Sequence, residues 1–116
     1  MGSGHHAKGP VGRRLREARL TKGLSQKQLG VKAGIDISSA SARVNQYEKN
    51  RHIPDFGTAE RLALVLGVPT SYLYTVDEEL AEIIKIFASA PRQARLRTLD
   101  ALRQAIRAAD SPDPSE

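Results

Sequence analysis

The sequence predicts an all-α protein, with five short helices in its first two-thirds and a helical hairpin after them. Apolar residues recur every three or four positions, which is the spacing of an amphipathic helix. Glycines and capping residues separate these stretches, and the alternation of apolar and polar residues typical of strands persists nowhere. At 116 residues, 40% hydrophobic and 27% charged, the chain is expected to form one compact core.

The first helix is predicted to begin at Val11. Val11, Leu15 and Ala18 follow one side of it, whereas Arg14 is among the charged residues on its other sides. The helix is expected to stop at Gly23, because glycine readily takes the left-handed conformation that closes a helix.

Ser25 marks the start of the second helix. Its hydroxyl can accept the backbone N–H of Gln28, and the Gln28 side chain can bond back to the backbone of Ser25, as in a capping box. Leu29 and Ala33 lie on the inner face of this helix. Gly34 ends it, so the second helix is short.

Three further helices are predicted before residue 75. The third covers about residues 39–49 and ends at Asn50, which tolerates the left-handed conformation. Asp55 caps the fourth, Gly67 ends it, and residues 68–74 give a short fifth helical turn. The apolar stripe of the fourth helix comprises Phe56, Ala59, Leu62, Ala63 and Leu66.

Three stretches of this region carry a family resemblance. They are the run Gly23-Leu-Ser-Gln-Lys-Gln-Leu-Gly-Val-Lys-Ala-Gly-Ile35, the run Val44-Asn-Gln-Tyr-Glu-Lys-Asn50 and the run Leu62-Ala-Leu-Val-Leu-Gly-Val68. In this order they resemble the Xre family of phage Cro and CI-type repressors. The resemblance implies a five-helix lambda-repressor-like helix-turn-helix domain over residues 11–74. It also implies a small, repressor-like transcriptional regulator that places its third helix in the major groove of a specific double-stranded DNA.

The chain departs from the family between its second and third helices. Gly34 and Glu48 are separated by a few residues more than the family spacing, and the additional residues lie within residues 36–42. They either lengthen the turn between the helices or add a turn to the front of the third helix. The sequence is compatible with both alternatives.

Five residues of the third helix are candidates for reading bases: Ser41, Ala42, Arg43, Asn45 and Gln46. Amide side chains can bond adenine with two hydrogen bonds, and arginine can do the same to guanine. Gln46 aligns with a position that often reads bases in the family. Each of these residues could instead be an ordinary solvated side chain.

Phosphate contacts require donors and positive charge rather than one residue type. The candidates are Ser25, Gln26, Lys27, Lys49 and Arg51, and Gln26 resembles the family's phosphate-contacting glutamine.

Arg19 and Glu48 align with an ion pair that joins the first and third helices in the resembling repressors. These two residues are therefore expected to have a structural role.

The distribution of charge agrees with a nucleic-acid partner. Residues 8–74 contain twelve Lys and Arg against five Asp and Glu, whereas residues 75–116 contain six against eight. A basic first part is the electrostatic pattern expected of a protein that binds phosphates.

Composition argues against several other classes of protein. The chain has no cysteine, and it has neither a glycine-rich phosphate loop nor spaced metal ligands, so we expect no enzyme, cofactor, metal site or small-molecule ligand. No run of about 18 apolar residues occurs, and the start lacks the apolar stretch of a secretory signal. We expect a cytoplasmic protein. Residues 1–10 are interpreted as a disordered tag remnant and residues 110–116 as a disordered tail.

Residues 75–109 are predicted to form the helical hairpin. Its first helix begins with Asp77 and its second with Pro91. The hairpin has more apolar face than it can hide, so it either packs on the first domain or meets a second copy. We favour a homodimer on a palindromic operator with half-sites about 34 Å apart. The alternative is an antitoxin-like or bridging module whose hairpin binds another protein. The candidate dimer residues are Leu80, Ile83, Ile84, Phe87, Leu96, Leu99, Leu102 and Ile106.

Overall fold

The computed structural model describes residues 9–110, and the regular structure in that range is entirely helical. The helices are α1 (Val11–Lys22), α2 (Gln26–Lys32), α3 (Ala40–Glu48), α4 (Phe56–Leu66), α5 (Thr70–Leu73), α6 (Glu78–Ser89) and α7 (Arg92–Asp110). The all-α prediction is confirmed. Most of the expected tag remnant and tail lies outside the described residues.

Two residues at the ends of the described range differ from expectation. Pro10, assigned to the tag remnant, directly precedes α1, and its carbonyl accepts the backbone N–H of Arg14 at 3.0 Å. Asp110, assigned to the tail, is the last residue of α7. Pro10 is therefore the N-cap of α1, and Asp110 is part of α7.

Side chains at the N-caps start three of the helices. Ser25 Oγ accepts the N–H of Gln28 at 3.0 Å, and Gln28 Oε1 accepts the N–H of Ser25 at 2.8 Å. Asp55 and Asp77 each accept the backbone N–H of the residue three positions later, both at 2.7 Å. These bonds satisfy N–H groups that have no partner within their own helix.

The predicted helix stops adopt the left-handed conformation. Gly23 and Gly67 end α1 and α4 with a φ of 72° each. Asn50, just after α3, has a φ of 57°. Local chemistry therefore determines where these three helices end.

The additional residues between α2 and α3 lengthen the turn. Residues 37–39 form turns, and the N–H of Ser39 bonds to the carbonyl of Asp36 at 3.0 Å before α3 begins at Ala40. Ala40 is completely buried against α2. A Cβ at Gly30 would lie 2.8 Å from the Cβ of Ala40, so the close approach of the two helices requires a glycine at this position.

The core lies among α1 to α5 and receives part of α6. Its largest fully buried apolar side chains are those of Leu15, Leu29, Val44, Leu62, Tyr72 and Leu73. Phe56 does not belong to it: this predicted member of the α4 stripe is 61% exposed. Phe56 is the first residue of α4, and Thr58 and Ala59, in the same turn, are the residues that are buried.

Arg14 is buried, contrary to its predicted place on a solvated side of α1. The residue is 2% exposed. Its guanidinium donates to the carbonyls of Thr75 and Val76 at 2.9 and 3.1 Å and to the carboxylate of Glu78 at 2.8 Å. It also lies 5.4 Å from the centre of the Tyr72 ring. Arg14 therefore anchors the segment that links α5 to α6.

The two C-terminal helices are present as predicted, but within one chain they do not cover each other. Helix α6 packs on the first domain through the buried Ala81 and the half-buried Ile84. Helix α7 has no buried residue and makes no extensive packing with another helix. Among residues 9–110, no helix combines the length and apolarity that crossing a membrane requires.

Candidate nucleic-acid interface

The packing of α3 determines which of its residues face outwards. Ala40, Val44 and Tyr47 are buried against the rest of the domain. At 3.6 residues per turn, the opposite side of the helix is centred on Ala42, which is exposed. A flat outer face suits entry into a groove, because no side chain at its centre is long.

The other four base-reading candidates surround this outer face. Asn45 and Gln46 lie on either side of its centre and are half-buried. Ser41 and Arg43 lie further round, on opposite flanks of the helix, and both are exposed. All five candidates are therefore accessible, with Asn45 and Gln46 nearest the outermost position.

A groove of about 570 Å³ separates the ends of α1, α2 and α3. Its lining includes four of the five phosphate candidates and two of the base-reading candidates. The lining residues are Arg16, Arg19, Ser25, Gln26, Lys27, Ser41, Asn45, Glu48 and Lys49. Arg51 is outside this lining but is exposed just after α3. The exposed Arg16, Lys27 and Lys49 give the groove a positive rim.

Sequence reasoning missed Arg16. A signal was available, because Arg16 lies three residues before Arg19 and so shares its side of α1. It borders the groove, as does the start of α2.

Arg19 and Glu48 form a two-pronged ion pair at the base of the groove. Arg19 Nε donates to Glu48 Oε2 at 2.6 Å, and Nη2 donates to Oε1 at 3.0 Å. Arg19 Nη1 also donates to the carbonyl of Leu24 at 3.0 Å. The Glu48 side chain is only 3% exposed. Hydrogen bonding to Glu48 raises the pKa of Arg19, and the two-pronged contact ties α1 to α3.

Gln26 extends the ion pair into a network that reaches the outer face of α3. Its Nε2 donates to Glu48 Oε1 and to Asn45 Oδ1, both at 3.1 Å. These two bonds use both hydrogens of the Gln26 amide, so the side chain presents its carbonyl oxygen to solvent. The bond to Asn45 also orients that residue's amide, whose own N–H groups can then donate to a base or a phosphate.

No group of three or more His, Asp and Glu side chains between residues 9 and 110 is arranged to hold a metal ion. The exposed charged side chains of the groove, Arg16, Lys27 and Lys49, are all cationic donors, which suit an anionic ligand.

Comparisons with known proteins agree with this geometry. A family model described as helix-turn-helix, HTH_3, matches residues 15–73. The chain belongs to the helix-turn-helix family. This finding confirms the resemblance to Xre, Cro and CI-type proteins, and α2 and α3 are the two helices of the motif.

One solved structure similar to this helix-turn-helix protein is that of the transcriptional regulator BswR. The two sequences are 47% identical, and the match covers 80% of this chain and 92% of the other, with a TM-score of 0.76. No curated protein matches the chain. Because the match extends over most of both chains, the similarity includes part of the region after the helix-turn-helix domain.

Proposed function

We propose that this protein is a transcriptional regulator that binds a specific double-stranded DNA operator, with α3 in the major groove. The observation that carries the proposal is the outer face of α3, bordered by the positively charged groove of α1 and α2. Phosphate contacts from Lys27, Lys49 and Arg51 would position the domain, and side chains of α3 would read bases. Since DNA is the proposed ligand, we propose that the protein acts in the cytoplasm and has no catalytic role.

Gln46 is the principal base-reading residue in this proposal. It lies beside the outermost position of α3, and its amide can form two hydrogen bonds with adenine. Arg43 is the arginine available for guanine, from one flank of the helix. Ser41, Ala42 and Asn45 complete the surface, and Ala42 can contact a thymine methyl group.

We also propose that the protein acts as a homodimer on a palindrome. The exposed apolar side chains of α6 and α7 supply a surface for association outside the helix-turn-helix domain. Two copies would present two α3 helices to half-sites about one helical turn apart.

Selection from a random duplex library at near-physiological salt tests the proposal. The expected result is one enriched palindrome. The variant Gln46→Ala should lose about 1 to 3 kcal/mol of discrimination at one position of each half-site. The matched control Gln93→Ala, on the exposed surface of α7, should select the same sequence as the unmodified protein.

Two results would contradict sequence-specific binding through α3. One is a bound pool without enrichment, in which binding only weakens with salt. The other is an enriched sequence that Gln46→Ala and Arg43→Ala leave unchanged. The first result would favour a module whose C-terminal helices bind another protein.

A further inference from the structure

Helix α7 carries an apolar stripe that its own chain leaves uncovered. Leu96, Leu99, Leu102 and Ile106 follow one another at helical spacing, and each is between 37% and 54% exposed. No residue of this 19-residue helix is buried. A helix of this composition obtains most of its stability from packing, so the stripe indicates a partner.

Helix α6 carries a second stripe on the side that points away from the domain. Its inner side packs on the domain through Ala81. Leu80, Ile83 and Ile86 are between 50% and 58% exposed on the other side. The two helices therefore offer two separate apolar surfaces of similar length.

The corner between α6 and α7 keeps these two surfaces apart within one chain. Ala90, between the helices, is extended, with φ of −81° and ψ of 146°. Arg95 donates to the carbonyls of Ala88 and Ala90 at 2.5 and 3.0 Å and lies 5.5 Å from the centre of the Phe87 ring. These contacts fix the corner in an open form, in which α7 does not fold back along α6.

Charge indicates which surfaces fit together. Helix α7 contains five Arg and two Asp, whereas residues 77–89 contain four acidic residues and one Lys. Two α7 helices side by side would bring positive charge together, and two α6 helices would bring negative charge together. Glu78 pairs with Arg13 and Arg14, Glu82 with Lys85, and Asp77 caps the helix. Glu79 is therefore the carboxylate beside the α6 stripe that we assign to the interface. Pairing α6 with α7 is the arrangement without like-charge repulsion.

We propose that two copies of this chain exchange helices: the α7 stripe of each copy packs on the α6 stripe of the other. This inference rests on the homodimer in the proposed function and specifies its interface. Each copy would then cover both stripes of its partner. The open corner at Arg95 is what directs α7 to a second chain.

Two complementary variants test the exchange. One carries Leu80→Asp and Ile83→Asp, which disables the α6 stripe. The other carries Leu99→Asp and Leu102→Asp, which disables the α7 stripe. All four side chains lie outside the buried core, so thermal unfolding followed by circular dichroism should show that the helix-turn-helix domain of both variants stays folded.

The exchange predicts that each variant alone is monomeric at a concentration at which the unmodified protein is dimeric. An equimolar mixture should form heterodimers, because one intact α6 then meets one intact α7. Labelling one variant with nitrogen-15 lets native mass spectrometry distinguish the heterodimer from either homodimer.

Other arrangements give different results, and each would overturn the exchange. A dimeric α6 variant would show that α7 pairs with α7, and a dimeric α7 variant would show that α6 pairs with α6. Two monomeric variants that fail to combine, or a monomeric unmodified protein, would also exclude it. If the protein is monomeric but still selects a half-site from the DNA library, the helix exchange is wrong and the proposed sequence-specific DNA binding still stands.

A charge reversal provides an independent test. Arg103 lies at the edge of the α7 stripe, whereas Arg97 lies on the opposite side of the helix. Arg103→Glu should weaken dimerisation about tenfold, and Glu79→Lys in the same chain should restore part of the loss. The matched control Arg97→Glu should leave dimerisation unchanged. Equal effects of Arg103→Glu and Arg97→Glu would count against the assigned interface.

Discussion

At the scale of single residues, the central feature is the network that runs from Arg19 through Glu48 and Gln26 to Asn45. Arg19 belongs to α1, Gln26 to α2 and the other two residues to α3. The distances within it are between 2.6 and 3.1 Å. One buried carboxylate thus joins three helices, and Gln26, which it binds, orients Asn45 on the surface that we propose faces DNA.

Removing Arg19 should therefore destabilise the domain strongly. Arg19→Met leaves the carboxylate of Glu48 buried without its cation, and the expected loss is about 3 to 5 kcal/mol in the free energy of unfolding. Urea titration measures this loss. Replacing both partners, with Arg19→Met and Glu48→Met, should recover much of it, because no unpaired charge then remains.

Arg16 is the matched control for this substitution, since it lies on the same helix and is exposed. Arg16→Met should change the free energy of unfolding by less than about 0.5 kcal/mol. It should instead weaken DNA binding and make it less dependent on salt, as expected for a phosphate contact. Equal destabilisation by Arg16→Met and Arg19→Met would refute the role assigned to the ion pair.

At the scale of helices, the spacing of α2 and α3 depends on Gly30. The lengthened turn brings the chain back to α2, so that Ala40 packs directly on Gly30. The approach allows α3 to begin immediately beside α2, and it sets the position of the outer face that we propose reads DNA.

Gly30→Ala should destabilise the protein although alanine favours helices. The added Cβ would lie 2.8 Å from the Ala40 Cβ and 3.0 Å from its carbonyl oxygen, and such overpacking typically costs about 1 to 3 kcal/mol. Adding Ala40→Gly should relieve the clash and recover part of the loss. Thermal unfolding of the three proteins measures both effects.

Gly57 serves as the control, because a Cβ there would meet its nearest atom at an ordinary 3.7 Å. Gly57→Ala should be neutral or stabilising by up to about 1 kcal/mol. A similar destabilisation at both glycines would show that the packing against Ala40 is not the cause.

The attachment of α6 to α1 should depend on pH. Hydrogen bonds from Arg13, and then from Arg14, hold the pKa of Glu78 below its ordinary value of 4.5. The contribution of Glu78 to stability is therefore present above pH 4.5 and disappears as pH falls through the lowered pKa. The protection factors of the amides of residues 75–81, which correct hydrogen exchange for the intrinsic dependence of its rate on pH, should fall in that acidic range.

Glu78→Gln should remove this pH dependence, since the amide does not titrate. At neutral pH the amides of residues 75–81 should be less protected from exchange in this variant than in the unmodified protein. In acid the protection of these amides should become equal in the two proteins. Glu82→Gln is the control, because Glu82 pairs only with Lys85 within its own helix among the described contacts. An unchanged acid response in Glu78→Gln would assign the effect to another group.

At the scale of the whole molecule, the chain is extended rather than spherical. Its radius of gyration is 18.1 Å, compared with about 13 Å for a compact chain of this length. Its principal extents are 67, 40 and 22 Å. The extension arises from α7, which projects from the domain instead of packing on it.

This shape separates the surface that we propose binds DNA from the surface that we propose forms the dimer, and so predicts how affinity for a palindrome is distributed. Leu99→Asp with Leu102→Asp should weaken binding to a palindrome by a factor on the order of 10², because the second domain is no longer tethered to the first. Affinity for a single half-site should remain the same. Fluorescence anisotropy with one-site and two-site duplexes measures both, and an equal loss on the two duplexes would contradict the separation.

The sequence alone determined the features that depend on neighbours along the chain. Ser25, Asp55 and Asp77 start helices and Gly23, Asn50 and Gly67 end them, because a cap or a left-handed stop involves residues within a few positions of each other. The family resemblance, which the comparison confirms over residues 15–73, followed from the order of such motifs.

Only the tertiary structure decided what depends on distant segments. Arg14 is buried because the chain returns some sixty residues later to cover it, and no local pattern records that return. Contacts between distant segments also decided three other features. These are the turn at residues 36–39, the exposure of Phe56 and the separation of α7 from α6. Each depends on which surfaces meet in space, and periodicity reports only the face of a helix that is apolar, not the partner that covers it.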